Sequence, residues 1–312
     1  MKALIAGGTG FIGSHLADAL LAEGNVVVCV DNFLLGSKEN IAHLYDNPGF
    51  IFYEQDICDI EAMRKIFEAE KIDYVFHLAA NSDIQAGGRD PFIDLNNTYL
   101  TTFNLLECMR NYGVSKLFFS STSAVYGEKD SLLSEETCPL YPVSYYGAAK
   151  LSSEALISAC SHLNGISSLI FRFPNVVGPR LTHGVIFDFI KKLQKDPAQL
   201  EILGNGKQEK PYMYIDDLIG GILRFMDTAK PGITIYNIGA ETATTVTSIA
   251  NIICTAMELK DVQYNYTGGR SGWPGDVPKF SYDLSKIHAA GWKAKYNSDT
   301  AVKLTAEALC KQ

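Results

Sequence analysis

The chain has 312 residues, 47% of them hydrophobic and 20% charged, with a net charge of −8. That length supports a core without staples, while the acidic balance argues against a nucleic-acid partner and no apolar run is long enough for a membrane span. Seven scattered cysteines with no Cys-x-x-Cys pair and six dispersed histidines point to a cytoplasmic protein with reduced thiols and no metal centre.

Through the first half, short β-branched runs alternate with longer amphipathic stretches. Strands are predicted at residues 3–6, 26–30, 51–53, 74–78, 117–120 and 168–173, with helices at 12–23, 60–70, 94–111 and 145–164. This alternation predicts an α/β fold: a Rossmann-type doubly wound parallel sheet over residues 1–173, covered by helices on both faces. After residue 173 the chain is punctuated by Pro and Gly, as in Gly178-Pro179, Gly204-Asn205-Gly206 and Pro231-Gly232. Residues 174–312 therefore read as a smaller, mixed α/β substrate domain, with a strand and helix over 233–257 returning to the main domain.

The first loop, Gly7-Gly8-Thr9-Gly10-Phe11-Ile12-Gly13, follows a strand and opens a helix. That context suits a dinucleotide pyrophosphate. The early glycines allow close backbone approach, Gly13 lets the helix pack on the strand, and the helix N-terminus offers free N–H groups. A glycine turn alone is weak evidence, but here the second strand ends in Asp31-Asn32. A carboxylate at Asp31 accepts both adenosine ribose hydroxyls and repels a 2′-phosphate, so NAD is expected over NADP. Asp56-Ile57 after the third strand, Leu78-Ala79-Ala80 after the fourth, Ser120 after the fifth and Phe173 after the sixth are expected to line the same groove, although each also suits strand-end packing.

Tyr146 and Lys150 lie four residues apart at the start of a helix, hence on one face. An ammonium beside a phenol favours the phenolate, so the pair can take and return a hydroxyl proton while hydride leaves or reaches the carbon. The spacing is common by chance on exposed helices. Thr122, in the hydroxyl-rich run Ser120-Ser121-Thr122-Ser123, supplies a third member able to orient a substrate oxygen. Pocket walls that would set the substrate include Ser82, Val185, Tyr212 and Trp273, of which the two aromatics suit either stacking or a core.

In this order the segments Gly7 to Gly13, Asp31, Asp56, His77 to Ala80, Ser121 to Gly127, Tyr146 to Lys150 and Arg172 to Pro179 resemble the extended short-chain dehydrogenase/reductase superfamily. The nearest branch is similar to NAD-dependent nucleotide-sugar epimerases of the UDP-glucose 4-epimerase type, and the resemblance covers nearly the whole chain. It implies that Tyr146 is the acid/base, that Lys150 holds the nicotinamide ribose, and that Thr122 and Ser123 face the sugar. It further implies that Asn175 contacts the diphosphate, with Lys210 in place of a usual arginine and Arg270 as a second phosphate cation. Lysine keeps the charge there but loses the bidentate fork. Thr98 stands where the family commonly has Asn, which leaves Asn97 as a substitute. A homodimer through the helices at 94–111 and 145–164 is also implied.

The residues after Thr122 discriminate among reactions. Related dehydratases carry Thr-Asp-Glu at this place, whereas this chain has Thr122-Ser123-Ala124, without the extra acid and base that elimination needs. The expected function is epimerisation of a nucleotide-diphosphate sugar, at C4 and with UDP favoured, through a 4-keto intermediate. A nucleotide-sugar 4-dehydrogenase or ketoreductase with net redox is the enzymatic alternative, and a non-catalytic NAD sensor is a remoter one.

Overall fold

The structure is a computed structural model that describes residues 1–312 other than Ala229, Pro274 and Gln312. The chain divides into two compact units, the first made of residues 1–125, 144–172 and 222–236, the second of 126–143, 173–221 and 237–312.

In the first unit, strands β1 (Lys2–Ala6), β2 (Val26–Asp31), β3 (Phe50–Glu54), β4 (Tyr74–His77), β5 (Lys116–Thr122) and β6 (Ser167–Phe173) alternate with helices α1 (Phe11–Ala22), α2 (Ile60–Glu70), α3 (Ile84–Arg89), α4 (Pro91–Asp94), α5 (Thr101–Tyr112) and α6 (Tyr145–Asn164). Strands β1, β2 and β4 are almost wholly buried apolar runs, as strands covered on both faces must be. With a strand β11 (Gly232–Asn237) at one edge, the sheet has seven strands in the order β11-β6-β5-β4-β1-β2-β3. The chain winds outward from β1 in one direction to β3, and from β4 in the other. Its reversal point therefore lies between β1 and β4, which pair in parallel from Ala3↔Tyr74 to Ala6↔His77. In such sheets the crevice at the carboxyl ends of the two central strands is where ligands bind.

One core cluster holds Leu4, Val28, Met63, Phe67, Leu105, Met109, Phe119 and Ile157. Aromatic rings also meet within and between strands: Tyr74 stacks on Phe76 of the same strand at 4.3 Å, and Phe118 of β5 meets Phe171 of β6 edge-on at 5.4 Å.

The helix expected over 94–111 is broken. Asp90 caps α4 by accepting the Phe92 N–H, with Pro91 at its first turn. A turn of π-helix, Leu95–Leu100, then precedes α5. Around this turn Thr101 and Thr102 donate their hydroxyls back to the Thr98 carbonyl, which competes with the regular backbone ladder. Helix α6 starts cleanly because Ser144 accepts the Gly147 N–H, and it stops at Gly165 in the left-handed region.

The second unit contains β7 (Asn175–Val177), α7 (Val185–Lys195), β8 (Gln199–Ile202), β9 (Glu209–Lys210), β10 (Tyr212–Tyr214), α9 (Val246–Ala256), α10 (Ser285–Ala289), α11 (Ser298–Leu309), and strands β12 (Thr244–Thr245) and β13 (Gln263–Tyr266); α8 (Ile215–Phe225) crosses the division between the units. Its strands pair two by two, β7 with β10, β8 with β13, and β9 with β12. Helix α11 packs on α7, α9 and β10. Of the strand and helix expected to return to the main domain, β11 joins the seven-stranded sheet and α9 packs with α7 and α11.

Candidate active site

The glycine loop between β1 and α1 is tight on every side. Gly7 has φ +84°, and a Cβ on it would lie 2.7 Å from the backbone nitrogen of Ala79, just past the end of β4. A Cβ on Gly13 would lie 2.1 Å from the Gly7 carbonyl oxygen. Gly10 opens α1 without any side-chain cap, so the first N–H groups of the helix are presented to a ligand, with Phe11 and Ile12 half-buried beside them. Asp31 is buried at the end of β2, its Oδ2 accepting the Thr9 N–H at 3.0 Å and its Oδ1 the Phe33 N–H at 2.9 Å. Loop and carboxylate are thus locked together. Next to them, Asn32 donates to Asp56 at 3.3 Å, and Asp56 accepts the Cys58 N–H at 2.8 Å, flanking buried Ile57. Leu78, Ala79 and Ala80 are half-buried after β4. The uncapped helix end, the glycine turn and the carboxylate fit a dinucleotide.

Gly13→Ala is expected to lower stability by about 1–3 kcal/mol, the range for an overpacked site, with NAD affinity falling in parallel. Thermal melts with and without NAD measure both. Retention of both would mean that the loop has slack that its geometry denies.

At the opposite side of the reversal point, β5 and α6 bring the other residues together. Tyr146 sits in the first turn of α6, half-buried, with Thr122 at the end of β5 acting on its phenol. Thr122 Oγ1 also accepts the Ala124 N–H at 3.2 Å, which fixes its rotamer. One turn further along α6, Lys150 is only 1% exposed. Its Nζ donates to the Ser120 carbonyl at 2.6 Å and to Ser120 Oγ at 3.3 Å, and lies 4.6 Å from the centre of the Phe119 ring. Ser120 in turn donates to the His77 carbonyl at 3.1 Å. Ser123 is half-buried beside Thr122.

Burial dominates the electrostatics. It pulls Lys150 from its ordinary 10.5 down to about 7, against the opposing pull of Glu154 and Asp94. It pushes Tyr146 from 10.0 up to about 12, the Thr122 hydrogen bond working the other way and Asp94 adding to the rise. The expectation that an ammonium brings the phenol toward neutrality is not met in the protein by itself: burial and Asp94 raise the phenol, and Lys150 is not among the groups that act on it.

Sequence reasoning did not find the layer beneath this pair. His77 Nε2 bonds Thr102 Oγ1 at 2.8 Å, and Thr102 reaches Ser153 at 3.1 Å. Thr98, the departure from the family pattern, is buried and accepts the Asn81 N–H at 3.1 Å. Asn81 donates to buried Asp94 at 3.0 Å. The available signal was a carboxylate on the apolar face of the segment at 94–111.

In the second unit Phe173 is buried, while Asn175 is exposed at the start of β7, opposite Tyr212 in the ladder with β10. Tyr212 is 5% exposed and is a core residue, its backbone N–H donating to Ser298 Oγ at 3.0 Å. Val185 starts α7, half-buried. Lys210 is half-buried, paired with Asp276 and 5.4 Å from the Trp273 ring. Arg270 is 72% exposed and pairs with Glu128 at 2.9 Å. The two cations expected at the phosphates are therefore each tied to a carboxylate. Ser82, in the first unit, is exposed just before α3. Among the described residues no helix is long and apolar enough to cross a membrane, and no three His, Cys, Asp or Glu side chains cluster as metal ligands.

A family model described as the NAD dependent epimerase/dehydratase family matches residues 3–239. A putative UDP-glucose 4-epimerase of Methanocaldococcus jannaschii is 32% identical, over 96% of this chain and 95% of that protein. The crystal structure of UDP-glucose 4-epimerase with UDP-glucose from Thermotoga maritima matches with a TM-score of 0.89 at 33% identity, covering 100% of this chain and 99% of that one. UDP-glucuronic acid 4-epimerase from Bacillus cereus, solved with UDP-glucuronic acid and NAD, matches with a TM-score of 0.89 at 30% identity and the same coverage. Sugar-nucleotide dehydratases and decarboxylases are also among the relatives.

Proposed function

We propose that this chain, which belongs to the NAD dependent epimerase/dehydratase family, is an NAD-dependent enzyme that inverts C4 of a nucleotide-diphosphate sugar, with UDP as the favoured nucleotide. The grouping of Tyr146 with Thr122 carries this reading, with Lys150 buried one turn below it. NAD, when bound, supplies acceptance and return of the C4 hydride. The residues of the chain handle the proton. Thr122 orients the 4-hydroxyl, Tyr146 takes its proton as the carbonyl forms, and Tyr146 returns the proton when the carbonyl is reduced from its other face. Lys150 lends positive charge to the phenol and holds the ribose. Its ammonium has three donors, and Ser120 accepts from it twice.

Epimerisation is favoured over dehydration because Ser123 and Ala124 bring no carboxylate to the sugar side. UDP is favoured because the Thermotoga and Bacillus relatives were solved with UDP-sugars. In this reading the second unit holds the nucleotide sugar. Asn175, Lys210 and Arg270 serve the diphosphate, with Ser82, Ser123 and Val185 near the sugar. Lys210 and Arg270 must then exchange Asp276 and Glu128 for phosphate oxygens. The chain acts in the cytoplasm as a homodimer, for which exposed Phe92, Leu95 and Phe103 provide apolar surface.

The test is to incubate purified protein with UDP-glucose, UDP-galactose and UDP-glucuronate, adding no oxidant or reductant. Interconversion of a 4-epimeric pair without net change in nicotinamide is the expected result. A released keto sugar, or a requirement for a second carbonyl substrate, would make the chain a dehydrogenase or ketoreductase. Binding of NAD with no turnover and no nicotinamide reduction on any sugar would make it a sensor.

A further inference from the structure

One buried carboxylate beside the Tyr146–Lys150 pair has no part in the reaction as described. Asp94, the last residue of α4, is 1% exposed. Its Oδ1 accepts from Asn81, but its Oδ2 is buried without a hydrogen-bond partner. A buried anionic oxygen left unpaired is costly unless a charge compensates it. The backbone is shaped around it: a Cβ on Gly87 in α3 would come within 1.9 Å of that oxygen. Both α3 and α4 pack on α6, the helix that carries Tyr146 and Lys150.

The surrounding charges single Asp94 out. Two carboxylates act on Lys150, Glu154 and Asp94. Glu154 is committed to Arg172, which binds it through Nε at 3.0 Å and Nη2 at 2.6 Å, and to Ser121. On α5, Glu107 and Arg110 pair with each other at 2.6 Å. His77, from β4, is buried and held neutral by desolvation and by Lys150. Asp83, ahead of α3, repels Asp94, and Arg89 at the end of α3 is exposed. Asp94 is therefore the carboxylate near Lys150 that has no cation of its own.

We propose that Asp94 is a positioning residue, the counter-charge that keeps the Lys150 ammonium protonated inside the protein and so sets the pH window in which the Tyr146–Lys150 pair works. The proposal rests on the acid/base reading of that pair. Asn81 helps by donating to Asp94, which opposes the upward push that burial exerts on its carboxyl. The sign follows directly. Loss of the negative charge lets Lys150, already brought down to about 7, lose its proton at still lower pH, and it eases ionisation of Tyr146. Both limbs of the pH profile then move toward acid.

Asp94→Asn keeps the shape and removes the charge. Its kcat–pH profile is expected to move toward acid by about one unit on both limbs, the low end of what a neighbouring charge does. A second readout needs no turnover. The Cε resonance of Lys150, followed by carbon NMR and assigned with Lys150→Arg, should titrate about one unit lower in the variant. If Asp94→Asn does not fold, Asp94→Ser must show the same shift. An unmoved Lys150 titration overturns the proposal, as does a kcat lowered equally at every pH. A shifted titration in a protein that turns over no sugar would instead sustain the role of Asp94 and count against the epimerase reading.

Discussion

Tyr146→Phe is expected to lower kcat by about a thousandfold, within the span that a positioned acid/base contributes. The substitution removes one oxygen and leaves the ring, so α6 and its Ser144 cap are undisturbed. That oxygen is the one on which Thr122 acts, and among the described residues Tyr146 is the titratable group placed beside Thr122. The KM for the nucleotide sugar should change little, because the binding energy is expected in the diphosphate, away from the phenol. The complementary readout is NAD reduction in a single turnover, which should slow by the same factor. A variant that keeps more than a tenth of wild-type kcat would move the proton transfer to another group. Wild-type rates should fall at low pH only below about 7, where both Lys150 and Tyr146 are protonated, whereas an ordinary exposed pair would lose activity from a higher pH downward.

Glu154→Ala is expected to cost about 3–5 kcal/mol of stability, the range for removing one partner of a buried ion pair. Arg172 and Glu154 are 4% and 5% exposed, so the abandoned guanidinium would have little water to turn to. Ser121 would also lose its acceptor. Urea unfolding followed by circular dichroism measures the loss, and Glu154→Gln, which keeps one acceptor oxygen, should fall in the interval. A cost below about 1 kcal/mol would mean that Arg172 finds other partners or solvent. Because Ser121 adjoins Thr122 on β5, the Ala variant should also turn over more slowly at temperatures where it remains folded.

Much of the main sheet was legible because each piece rests on a local pattern. β1 and β2 are continuous apolar runs, the glycine loop needs its own backbone geometry, and Ser144 and Gly165 mark the ends of α6 by composition. The grouping of Tyr146, Lys150, Thr122 and Ser120 was legible for a related reason, since each belongs to a short motif at the end of a sheet strand or the start of a helix. What escaped depends on pairing at long range. Asp94 shows in the chain only as a carboxylate on an apolar face, without a sign that Asn81 and Gly87 will enclose it, and the π-turn from Leu95 to Leu100 reads as ordinary helix. Tyr212 has the composition of a stacking platform, and only its place in the β7–β10 pair makes it core. The partners of Lys210 and Arg270 likewise lie far away in the chain. Desolvation of Tyr146 was invisible too, because a motif does not state how much water its surroundings exclude.

The contact of Gly7 with Ala79 has a thermodynamic side. It joins the turn after β1 to the end of β4, the two strands from which the halves of the sheet wind outward. A dinucleotide seated on that turn binds only when both halves are in place, so its affinity becomes part of the folding free energy. At about one hundred times its dissociation constant a ligand of the native state adds about 2.7 kcal/mol. Cofactor supply would then govern how long the chain lasts as well as how fast it works.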